Sequence, residues 1–132
     1  MTDPDQRQAA RAWLAKADSD LRSARILREA EPPQPEESCF HSQQAAEKYL
    51  KGVLAYYGEE PPRTHNLSVL VDLGREWDEG LEVLYTPAEA LNPFAVHVRY
   101  PSTEIQPDED DATTALRHAE TIRDHVHALL SL

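Results

Sequence analysis

Apolar residues recur at helical spacing through most of this chain, and most of its prolines fall between the blocks where they do so. Between residues 5 and 30 the apolar set is Ala10, Trp13, Leu14, Ala17, Leu21, Ala24 and Leu27, which predicts a long amphipathic helix ended by Pro32-Pro33. A short proline-bearing connection at 34–38 leads into a second helix over about 36–57. At ~100° per residue, Phe40, Ala46, Leu50, Val53, Leu54 and Tyr57 share one of its faces. Gly58 supplies a stop, with Pro61-Pro62 beyond. Leu67, Leu70, Val71 and Trp77 mark a third, shorter helix, for which Thr64 or Asn66 is the expected N-cap.

Residues 78–92 predict one or two further turns with Leu81, Leu84 and Leu91 inward. The run Phe94–Val98 alternates weakly, but no second strand exists to pair with it, so a helix end and an extended loop are expected up to Pro107. The last helix, near 109–131, opens on the acidic turn Asp108–Asp111, which suits the helix dipole. Ala112, Ala115, Leu116, Ala119, Ile122, Val126, Leu129 and Leu130 form its buried stripe. The expected fold is all-α, an antiparallel up-and-down helical bundle of four to five helices, with residues 1–132 as one domain.

Several polar residues sit where apolar ones belong. Gln43 and Glu47, one turn apart, fall inside the apolar face of the second helix, with Gln44 and Lys51 along its border and Lys48 further out. Asp20 lies within the stripe of the first helix, between Trp13 and Leu27 on the wheel. A carboxylate or amide in such a place costs several kcal/mol unless it is paired. Arg99, in the segment Arg99-Tyr100-Pro101, is suited to bind carboxylates bidentately. The expected polar network is Asp20, Gln43, Glu47 and Arg99, with His65 at its rim. On its chemistry alone this network either fixes packing or forms a binding site.

Composition narrows the function. The chain has 132 residues, 40% hydrophobic and 28% charged, with a formal charge of −11. That charge argues against capture of a nucleic-acid backbone by a broad basic surface. It is uneven: residues 1–30 carry six basic and five acidic side chains, residues 102–132 two and seven. Any anion site is therefore a local one. Cys39 is the single cysteine, which excludes an intrachain disulfide, and it reads as a small apolar filler. No leader pattern opens the chain and no apolar run is long enough to span a membrane, so a cytoplasmic protein is expected. His118, His125 and His127 lack the spacing of a metal-binding helix face, and no glycine-rich phosphate loop is present, so neither metal nor cofactor is expected. Tyr49 and Tyr56, seven apart, mark a prospective dimer or partner surface.

The polar residues also carry a family pattern. Ala17-x-x-Asp20-Leu21-x-x-Ala24, then Gln43-Gln44-Ala45-Ala46-Glu47-Lys48-x-Leu50-Lys51, then Thr64-His65-Asn66-Leu67, then Arg99-Tyr100-Pro101 together resemble the HEPN domain (higher eukaryotes and prokaryotes nucleotide-binding), in its small stand-alone prokaryotic form. Asn66 stands where the family often has Asp. The resemblance implies an all-α bundle, a homodimer, and a partnership with a minimal nucleotidyltransferase in a toxin–antitoxin-like pair. Ribonucleases of the wider superfamily use an Arg and a His separated by four to six residues. Here Arg117 and His125 have seven residues between them, and no Arg is followed by a His inside that window. The resemblance thus implies a non-catalytic nucleotide- or partner-binding protein, and the basic groups that border the polar network, Lys48, Lys51, His65 and Arg99, are the nucleotide-binding candidates. The alternative is a metal-independent ribonuclease toxin that uses His65 and Arg99 on an RNA ligand.

Overall fold

The protein, seen in a computed structural model, is described over residues 3–95 and 106–132. Among these residues there are five α-helices and no strand: α1 Pro4–Glu29, α2 Pro35–Tyr56, α3 Leu67–Arg75, α4 Tyr85–Leu91 and α5 Glu109–Leu130. Short 3-10 turns fill Glu79–Leu84 and Asn92–Phe94. Each long helix starts where its sequence supplies a cap or a proline. Asp3 accepts from the amides of Asp5 and Gln6 just before Pro4, and Asp108 and Asp111 exchange bonds in a capping box at α5. Asn66, not Thr64, caps α3, accepting from the amides of Ser68 and Val69.

The largest interface joins α1 and α2. Ser38 donates to the Ala24 carbonyl, His41 meets Asp20, and Gly52 meets Leu14. Partners therefore descend along α1 as they ascend along α2, and the two helices run antiparallel. Their approach is close at Gly52, where a Cβ would lie 3.1 Å from Leu14 Cδ2 and 3.4 Å from Trp13 Cβ. Gly58, just past α2, takes φ +85°, the left-handed conformation that ends a helix most cheaply with glycine. Arg28 meets Thr113, Arg25 meets Glu120 and Asp18 meets His127, so α5 is antiparallel to α1 as well.

One continuous core runs through all five helices, with Leu21, Leu50, Leu54, Leu67, Leu70, Leu81, Leu84, Leu91 and Ile122 essentially inaccessible. Each such side chain contributes about 1.5–3 kcal/mol on burial. Because α2 packs on α1, α3 and α5, it is buried on several faces, not one. This corrects two readings of the sequence. Tyr49 is completely buried and offers no docking surface, while Tyr56 is half-buried. Trp77, expected inward on α3, lies beyond the end of that helix and is 48% exposed, stacked on Tyr57 with ring centroids 5.2 Å apart. Arg99 and the rest of 96–105 lie outside the described residues. Among the described residues no helix is long and apolar enough to cross a membrane.

Candidate functional site

The polar residues of α2 project towards the turn that precedes α3. Gln43, Glu47 and Lys51 follow one another at a spacing of four, which stacks them along one side of the helix. Gln43 Nε2 donates to the His65 carbonyl at 2.9 Å, and Gln44 Nε2 donates to Gln43 Oε1 at 2.8 Å. Glu47 takes two partners: Lys51 Nζ on Oε2 and His65 Nδ1 on Oε1, each at 2.8 Å. An ionised carboxylate only accepts, so in this pairing Nδ1 carries the proton, and Nε2 has no partner among the described residues. The Glu47 side chain is 6% exposed and that of His65 is 68% exposed, so a buried acid holds an imidazole that faces water.

The segment bearing His65 is fixed from its other side by Asn92. Asn92 Oδ1 accepts from the Leu67 amide at 2.8 Å, while its Nδ2 donates to Asn66 Oδ1 and Ser68 Oγ. His65, Asn66, Asn92 and Ala95 line a shallow depression of about 230 Å³. Lys51 faces the other way: it is buried, and its ammonium lies 5.7 Å from the centroid of the Trp13 ring. Glu47 and Trp13 together engage it.

Asp20 does not join this group. Its carboxylate pairs with Lys48 and, at 3.1 Å, with His41 Nδ1, forming a second cluster between α1 and α2. The expected network therefore divides in two, Gln43, Glu47, His65 and Lys51 on one side and Asp20, Lys48 and His41 on the other, with the Arg99 position undescribed. Lys48 is half-buried, and it shares a cleft of about 320 Å³ with Ala12, Trp13 and Lys16.

A third cluster is not legible in the sequence. The Tyr49 hydroxyl donates to Asp18, whose carboxylate also lies 3.6 Å from His127 Nε2, and the Tyr49 and His127 rings meet edge to face. Burial pushes the Tyr49 hydroxyl far above the usual tyrosine range, and the hydrogen bond to Asp18 and the charge of that carboxylate push the same way. Asp18 falls beside the motif residue Asp20, but nothing in a helix wheel says that an exposed Asp caps a buried tyrosine on a neighbouring helix.

A family model for the HEPN domain matches residues 10–129. The chain belongs to the HEPN domain family. This HEPN chain is similar to two solved structures. The archaeal HEPN homologue ST0689 is 28% identical, with a TM-score of 0.73 over 92% of this chain and 97% of that one. TT1696 from Thermus thermophilus is 29% identical, also with a TM-score of 0.73, over 90% of this chain and 96% of that one. No curated protein matches the chain significantly. The HEPN match spans α1 from Ala10 to nearly the end of α5, so both clusters at α2 lie within the family's domain.

Proposed function

We propose that this HEPN protein is a non-catalytic binding module for a nucleotide or a protein partner. In this reading it acts with a minimal nucleotidyltransferase, as one member of a toxin–antitoxin-like pair, and self-associates as a two-fold homodimer. The observation that carries the reading is the internal pairing of charge at α2. Lys51 and His65 are held by Glu47, and Lys48 and His41 by Asp20. RNA cleavage needs a positive group aimed at the charge that develops on the scissile phosphate, and the two lysines among these groups are already engaged. The missing Arg–His spacing agrees with this. A nucleotide is placed in this reading beside Lys48, where Trp13 offers a flat ring to a base and Lys16, with no carboxylate partner among the described residues, offers its ammonium to a phosphate. Lys51 then acts as a positioning residue for Glu47 and Trp13.

One observation favours a second reading, the ribonuclease toxin that uses His65 with Arg99. A buried carboxylate on Nδ1 with Nε2 facing solvent is how a general base is commonly held.

The binding reading is tested in one experiment. The chain is co-expressed with the product of the adjoining reading frame, and both it and ATP are tested for binding by calorimetry. A stable complex with a nucleotidyltransferase, or saturable ATP binding, is the expected result. An adjoining frame of another kind together with no nucleotide binding contradicts the proposal.

A further inference from the structure

A second cationic site lies on the opposite run of α1, away from α2. Arg25 and Arg28 are three apart on α1 and so share a face, and Thr113, Arg117 and Glu120 share a face of α5 in the same way. The antiparallel packing of the two helices brings these faces together around a cleft of about 260 Å³. Three guanidiniums thus converge from two helices in a chain whose formal charge is −11.

Their donors are far from saturated. Arg25 Nη2 donates to Glu120 Oε2 at 2.8 Å, and Arg28 donates to Thr113 Oγ1 at 3.2 Å and to Glu29 Oε1 at 3.3 Å. The Arg117 side chain has no hydrogen bond or ion pair among the described residues, although it lines the same cleft. A guanidinium carries five N–H donors, so most of those in the cleft face it unused. Glu29 is exposed at the rim, and Glu120 neutralises only one of the three cations.

We infer that the Arg25–Arg28–Arg117 cleft between α1 and α5 is a binding site for a phosphate group. A carboxylate is planar and presents two oxygens, which one guanidinium satisfies. A tetrahedral phosphate presents oxygens in three directions, and so meets guanidiniums arriving from two helices more fully than a planar carboxylate does. Thr113 Oγ1 donates to the Glu109 carbonyl and accepts from Arg28, so it orients that guanidinium at the cleft wall and leaves the ligand to the arginines. The phosphate belongs either to a free oxyanion or to the polyphosphate tail of a nucleotide. The Arg25–Glu120 pair stays intact in both cases and acts as the hinge that holds the helices at this spacing.

The test is calorimetric titration with pyrophosphate at low ionic strength, for the parent protein and for Arg117→Gln. Because Arg117 has no side-chain partner to lose among the described residues, the variant is expected to keep its melting temperature and to read binding alone. The expected result is saturable one-to-one binding that weakens about tenfold or more in Arg117→Gln, the loss of a charged hydrogen-bond partner, and recovers in part with Arg117→Lys. ATP that binds with the same dependence on Arg117 assigns the phosphate to a nucleotide; ATP that fails to displace pyrophosphate assigns it to a free oxyanion. No saturable pyrophosphate binding, equal affinity in Arg117→Gln, or succinate bound as tightly as pyrophosphate would overturn the assignment.

Discussion

Glu47 and His65 meet at 2.8 Å across the junction between α2 and the turn that opens α3. The acid is inside and the imidazole outside, and the backbone carbonyl of the same histidine is held by Gln43. One side of α2 therefore fixes both the main chain and the ring of a solvent-facing residue.

Removing Glu47 leaves the Lys51 ammonium buried with, among the described residues, only the Trp13 ring beside it. Glu47→Ala should destabilise the protein by about 3–5 kcal/mol, read by urea denaturation. His65→Ala should cost less than about 1 kcal/mol, since its side of the pair is exposed. A Glu47→Ala protein as stable as its parent would show that the carboxylate is not the anchor of this cluster.

Ser42 presents the opposite case. Its hydroxyl is buried and has no hydrogen-bond partner among the described residues. Ser42→Ala removes an unmet polar group at almost constant volume, so the melting temperature should stay level or rise. A loss of stability greater than about 1 kcal/mol would mean that the hydroxyl is satisfied in solution.

Gly52 tests the packing of α1 on α2. A valine there drives its branches into Leu14 and the Cβ of Trp13 and should cost about 1–3 kcal/mol or more. Measured stability unchanged in Gly52→Val would place the two helices further apart than described.

Tyr49 predicts an alkaline limit. Its folded ionisation lies above that of the unfolded chain, near 10. The neutral hydroxyl contributes fully below that value, and above it the unfolded state gains by losing the proton, so stability falls as pH rises. Melting curves between about pH 8 and 11 should decline more steeply for the parent than for Tyr49→Phe. Parallel curves would mean that Tyr49 ionises freely in the folded protein.

The three long helices are legible because each repeats its apolar residues over many turns between caps and prolines. Gln43 and Glu47 are legible as polar residues inside such a repeat. His65 is legible at the rim of their network, but which atoms it offers, its ring to Glu47 and its carbonyl to Gln43, depends on how its turn docks. Asp20 looks like a member of the same network because a wheel gives its face and not its height along the bundle. The pairs with Lys48 and His41 follow from the antiparallel register of α1 and α2. A wheel puts Tyr49 outside because it assumes one buried face, whereas α2 is enclosed by three helices. It puts Trp77 inside because the apolar spacing runs on past the end of α3 at Arg75.

The most direct test of a non-catalytic role is incubation of the purified protein with labelled RNA in the presence of a chelator. The account predicts intact RNA, because the cations at α2 are engaged by Glu47 and Asp20 and the Arg–His spacing is absent. Metal-independent cleavage that disappears in His65→Ala would contradict it.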